Sequence, residues 1–87
     1  MNVKKFRHHL NGLEQPFHVS FVNRNPVTRV LEIGVTYEGE PHGKLRPFKW
    51  QQEQFYGNQS KAFVVLCSRE ANAVRPKVKG IRVRYIG

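Results

Sequence analysis

This chain has no aspartate, a single cysteine and no long hydrophobic run. Its six acids are all glutamates, scattered singly as Glu14, Glu32, Glu38, Glu40, Glu53 and Glu70. Metal-dependent nucleases and phosphoryl-transfer enzymes hold their cations through clustered carboxylates, so this scatter counts against that chemistry. Cys67 has no partner for an internal disulfide, and a lone thiol points to a reducing, cytoplasmic compartment. His8 and His9 are adjacent but have no cysteine or acid at ligand spacing. No segment approaches the ~18 apolar residues of a membrane helix. The basic start, Met1 to Leu10, leads into no apolar run of a secretory signal. A nucleophile elbow, a phosphate-cradling glycine loop and a metal-binding helix motif are all missing from the sequence. The expectation is a protein that is not an enzyme and carries no metal or cofactor.

What the chain has instead is positive charge, placed unevenly. Fifteen Lys and Arg against six acids give +9 over 87 residues. Residues 1–29 carry +4, residues 30–58 carry −1 and residues 59–87 carry +6. This asymmetry is the electrostatic footprint of a polyanion binder. The closing stretch Lys79-Gly80-Ile81-Arg82-Val83-Arg84-Tyr85-Ile86 alternates basic and apolar residues. In a strand, Ile81, Val83 and Tyr85 then face a core while Arg82 and Arg84 face out. The planar guanidinium fork suits phosphate. Arg75, Lys77, Lys79, Arg82 and Arg84 form the principal candidate ladder, and its plain alternative is a solvated sheet face. Lys4, Lys5 and Arg7 add a basic arm. Lys49 and Trp50 lie in a second mixed segment with Phe48, Phe55 and Tyr56, where exposed rings would stack on unpaired bases. The competing reading of Trp50 and Phe55 is that they close one end of the core.

A chain of this length holds one modest core, and nine Phe and Tyr residues plus Trp50 supply apolar surface for it. Residues 1–12 read as a basic arm or short helix, and residues 13–87 as a single domain. Phe17 to Phe21 alternates and is closed by Asn23-Arg24-Asn25-Pro26. Arg29 to Tyr37 places Leu31, Ile33, Val35 and Tyr37 on one face. Leu45 to Phe48 is a short strand with Pro47 at an edge or bulge, and Trp50 to Tyr56 a helical turn. Ala62 to Ser68 reads as a central strand buried on both faces, and Lys77 to Ile86 as the last strand. The predicted fold is mainly β: a small antiparallel β-barrel, or strongly bent sheet, of about five strands with at most one or two helical turns. Its expected core is Phe21, Leu31, Ile33, Val35, Phe63, Val65, Ile81 and Val83. Cys67, in the most apolar strand, is expected to be a buried structural thiol.

The order Ile33 to Tyr37, Arg46-Pro47, Ala62 to Arg69 and Lys79 to Ile86 resembles the WYL domain, a small Sm-like β-barrel of bacterial and phage regulators. About half the chain takes part. The name-giving triplet is replaced by Ala62-Phe63-Val64, and Arg84 and Tyr85 depart from the family's closing strand. The resemblance implies that basic residues of the closing strand contact nucleic acid or a nucleotide effector.

Two functions fit this reading. One is a nucleic-acid-binding β-barrel module, a phage or bacterial regulator that grips the phosphate backbone of DNA or RNA. The alternative is a compact inhibitor, of the kind phages encode, that covers an acidic surface of a host protein. Positive charge serves both.

Overall fold

The computed structural model describes residues 2–40, 43–51, 60–68, 73–75 and 79–86. One helix, α1 (Val3–Asn11), precedes six strands: β1 (Phe17–Arg24), β2 (Leu31–Tyr37), β3 (Lys44–Gln51), β4 (Ser60–Cys67), β5 (Val74–Arg75) and β6 (Ile81–Tyr85). The protein is mainly β, as its alternating segments predict. The basic start is helical because Asn2 caps it, accepting from the amides of Lys4 and Lys5. Phe6 and Leu10, four residues apart, then fall on one helix face and are fully buried. Through Phe6 and Leu10 the helix α1, one of the two forms expected of this segment, packs into the core.

The strands form two three-stranded sheets, ordered β1-β2-β6 and β3-β4-β5. The predicted single barrel of about five antiparallel strands is corrected in three respects. Among the described residues the strands number six, no closed barrel is found, and β6 runs parallel to β2. Parallel neighbours need a long crossover. Here the whole second sheet lies within the connection from β2 to β6. Register pairs Leu31 with Ile81, Ile33 with Val83 and Val35 with Tyr85, so inward residues meet inward residues.

Both sheets and α1 share one core. Phe17, Val19, Leu31, Ile33, Val35, Val83 and Tyr85 enter it from the first sheet; Phe48, Trp50, Phe63, Val65 and Cys67 enter from the second. Phe17 meets Phe48 edge-on at 5.7 Å between ring centroids, and Phe6 meets Trp50 at 6.4 Å. Such contacts add about 0.5–1.5 kcal/mol each beyond area burial. Ile81 is only partly buried at the start of β6. β4 is central in its sheet, but its burial alternates. Phe63, Val65 and Cys67 are buried, Val64 and Leu66 are half-buried, and Ala62 is exposed. The expectation of burial on both faces is thus corrected. Pro47 sits on the edge strand β3, where its missing amide leaves no ladder bond unmade. The predicted helical turn at 50–56 starts differently, since Trp50 and Gln51 end β3; the rest of it, Phe55 and Tyr56 included, lies outside the described residues.

Phe21 departs most from expectation. The β1–β2 register runs Val19 opposite Val35 and then Phe21 opposite Gly34, with Ser20 as an extra residue. A bulge of this kind shifts the inside–outside alternation by one. Phe17 and Val19 point into the core, Val22 opposite Ile33 resumes that direction, and Phe21 is turned to the outer face and half-buried.

Candidate nucleic-acid interface

The outer face of the first sheet carries the feature that the closing strand predicts. Arg82 and Arg84 are exposed, while Val83 and Tyr85 between and beside them are 3% exposed each. Anchored on one face, β6 presents two guanidiniums on the other. Register brings each arginine beside particular neighbours. Arg84 stands opposite Gly34, which stands opposite Phe21 on its other side. Arg82 stands opposite Glu32, which stands opposite Asn23. Next to these rows, His18 is exposed opposite Thr36, and the Ser20 and Thr36 hydroxyls lie 3.3 Å apart.

Gly34 explains the posture of Phe21. A Cβ at Gly34 would collide with Cε1, Cδ1 and Cζ of the Phe21 ring, the last two at 2.6 Å. The ring therefore lies across the glycine, on the space that a side chain would fill. Phe21 is the residue sequence reasoning placed in the core. The available signal was a glycine inside a strand pattern, which marks a bulge or a close approach.

The predicted ladder is divided between strands of two sheets. Arg75 is exposed but belongs to β5 of the second sheet, opposite Val64. Lys79 is exposed in the turn before β6, where Gly80 adopts φ +84° and its carbonyl accepts from the Leu31 amide at 2.9 Å. Lys77 lies outside the described residues. Lys49 is exposed on the outer face of the second sheet. Trp50, next to it, is 1% exposed and tilted against Phe63 at 5.7 Å. As a stacking surface Trp50 is corrected, because its ring forms part of the core.

Lys4 and Lys5 are exposed on α1. Arg7 is exposed too, but its Nε donates to the Val19 carbonyl at 3.3 Å, so part of its donor capacity serves the fold. The second sheet's outer face differs in character. Leu45 is 46% exposed opposite half-buried Leu66, and exposed Pro47 stands opposite half-buried Val64. Arg75 stands beside Val64 in this apolar strip, and Lys49 lies in the next row beyond Pro47.

Cys67 is buried as expected, and burial pushes its thiol up from the ordinary value, outweighing the opposite pull of the Arg46 guanidinium. A protonated, enclosed thiol is a poor nucleophile. Arg46 itself stacks over Tyr37, 5.8 Å from the ring centroid. No group of three or more potential metal ligands occurs among the described residues, and no described helix is long and apolar enough to cross a membrane. Comparison with protein families, curated proteins and solved structures finds no match to this chain.

Proposed function

We propose that this chain is a nucleic-acid-binding module whose contact surface is the outer face of the first sheet. The observation that carries this reading is the pair Arg82 and Arg84, both exposed on one strand face whose other side is locked in the core. Phosphate contacts from such residues supply sequence-independent affinity by counterion release. The +9 net charge adds long-range attraction. Lys79, exposed just before β6, extends the basic surface of that strand, and Lys4 and Lys5 add exposed charge on α1. A regulatory role follows the same line as the WYL resemblance, in which closing-strand basic residues meet nucleic acid.

The test is affinity of the Arg82→Gln/Arg84→Gln protein for DNA and RNA oligonucleotides over a salt series. Each lost phosphate contact should flatten the log–log salt slope by about 0.7–0.9. The expected result is weaker binding, a shallower slope and an unchanged melting temperature. Unchanged affinity would remove β6 from the surface.

A second reading is favoured by a different observation. The apolar strip of Leu45, Pro47, Val64 and Leu66, flanked by Lys49 and Arg75, has the mixed character of a protein-docking face with an acidic counterpart. Under it the chain covers an acidic protein surface. Leu45→Glu would then abolish capture of a protein from nuclease-treated lysate and leave oligonucleotide affinity intact.

A further inference from the structure

The outer face of the first sheet holds more than charge. Phosphate binding alone requires no aromatic side chain there, yet the β1 bulge turns Phe21 out of the core and Gly34 makes room for its ring. A large apolar ring left half-exposed forgoes part of its burial energy. The ring lies over the Gly34 backbone, in the space a side chain there would occupy. Gly34 offers no side chain, so the next outward group in that row is Arg84. In the adjoining row stand Asn23, Glu32 and Arg82. On the other side of the Phe21–Arg84 row stand His18 and Thr36, with the bulged Ser20 beside them. Strands are about 4.8 Å apart, so β1 and β6 are separated by about 10 Å across β2. The Phe21 ring lies over Gly34 on the middle strand, so it stands one strand from Arg84, and a base on the ring and a phosphate on the arginine belong to one short stretch of chain.

From this arrangement we infer that the face is built for single-stranded nucleic acid, with one unpaired base stacked on Phe21 and the flanking phosphates on Arg82 and Arg84. The inference rests on the nucleic-acid reading above and specifies its ligand. A duplex hides the faces of its bases, so a flat ring on an open sheet has nothing to stack against in it. A single strand offers a π-face at every base. Asn23, Glu32, His18 and the two hydroxyls supply donors and acceptors for base edges within the same rows. Arginine contributes beside an aromatic platform as well as at phosphate, since its guanidinium plane stacks on bases. Single-stranded RNA and single-stranded DNA share this chemistry.

The experiment uses the full chain and measures anisotropy of labelled twelve-nucleotide probes: single-stranded RNA, single-stranded DNA, the matching duplexes and a single strand carrying abasic sites. A single strand containing 2-aminopurine reports stacking directly by loss of fluorescence, with no mutation needed. The expected results are preference for single strands over duplex, quenching of 2-aminopurine and weaker binding of the abasic strand. Phe21→Leu should weaken single-strand binding roughly 5- to 150-fold, the effect of losing one base stack, with the salt slope unchanged. Phe21→Tyr should retain binding. The RNA and DNA arms decide which strand is the natural ligand. Equal affinity for duplex, abasic and normal strands, with no quenching, overturns the inference. If Arg82→Gln/Arg84→Gln still weakens binding in that case, the broader nucleic-acid reading stands as a phosphate-only surface. If the unaltered protein binds none of the probes, both readings fall.

Discussion

The carboxamide of Asn11 closes the free edge of β1 at Val19. Its Oδ1 accepts from the Val19 amide at 2.7 Å, and its Nδ2 donates to the Val19 carbonyl at 3.1 Å. A side chain thus does for one residue what a neighbouring strand would do. Gln15 repeats the device on the second sheet, accepting from the Lys49 amide at 2.6 Å and donating to the Lys49 carbonyl at 3.1 Å. The edges of β1 and β3 are tied by two amides from α1 and the segment after it. Removing Asn11 leaves a part-buried amide without its acceptor. Asn11→Ala should lower unfolding free energy by about 1–3 kcal/mol in a urea titration. Asn11→Asp should be no better, because a carboxylate cannot donate and would face the Val19 carbonyl. A loss below about 0.5 kcal/mol would show that water replaces the clasp.

The contact of Phe21 with Gly34 makes a second expectation. Gly34→Ala puts a methyl group where the ring lies. Overpacking of this kind costs typically ~1–3 kcal/mol. Replacing Phe21 by Ala in the same protein should return part of that loss, since the ring is what the methyl meets. A double-mutant cycle from thermal or urea melts measures the coupling, expected at about 0.5–3 kcal/mol. Purely additive effects would mean that the ring leaves Gly34 at little cost.

Much of the sheet was legible because each strand carries its own period. Leu31, Ile33 and Val35 announce the buried face of β2, and Val83 and Tyr85 that of β6, as does Phe63 with Val65 for β4. The outward direction of Arg82 and Arg84 follows from the same period. Pairing was not legible. Whether β6 runs parallel to β2 depends on how a 43-residue connection returns, and local alternation carries no information about that. The β1 bulge was missed because one inserted residue reverses every later side chain without changing composition. Charge density along the sequence likewise suggested one ladder from Arg75 to Arg84, whereas β5 and β6 belong to different sheets.

Arg29 has φ 62°, the left-handed conformation that costs a residue with a Cβ roughly 1–2 kcal/mol. The β1–β2 turn imposes it. Asn25 Oδ1 accepts from the amides of Val27 and Thr28 at 2.9 and 3.0 Å, and the Arg29 amide donates to the Asn25 carbonyl at 2.8 Å. A β-branched residue tolerates this region least. Arg29→Val should therefore lower the melting temperature by several degrees, since about 1 kcal/mol shifts it ~4–8 °C in a domain of this size. Arg29→Gly should match or exceed the parent, relief of strain offsetting the greater freedom of the unfolded chain. Equal melting of both variants would show that the turn relaxes.

Burial raises the Cys67 thiol above its ordinary value, so the folded state holds its proton more firmly than the unfolded state. The sign follows directly. Stability from this group is fully present below the unfolded value, near 9.0, and is lost as the pH rises towards the folded one. A pH series of urea midpoints should therefore fall above about pH 9 more steeply for the parent than for Cys67→Ala, although the latter will be less stable throughout because of its cavity. At pH 8 a thiol-reactive chromophore should label the native protein far more slowly than the urea-unfolded one. Equal labelling rates would mean that the second sheet opens readily around β4.

Glu32 is the acid within the arginine-bearing face, half-buried on β2 and in register with Arg82. On a surface that receives phosphates a carboxylate here opposes binding, either by direct repulsion alone or also by competing for the Arg82 guanidinium. Its removal as Glu32→Gln keeps size and hydrogen-bonding reach but takes away one negative charge. At close range in water a unit charge is worth about 1 kcal/mol, and less once salt screens it. Oligonucleotide affinity should rise roughly two- to fivefold at low salt, and the gain should shrink as salt increases. The salt slope distinguishes two origins of the gain. If Glu32 acts by holding Arg82 away from phosphate, Glu32→Gln steepens the slope towards one further contact, about 0.7–0.9. Acting only by repulsion, it leaves the slope unchanged. A loss of affinity in Glu32→Gln would give the carboxylate a different role, accepting from a base amino group, and would make it a reader of sequence on this face.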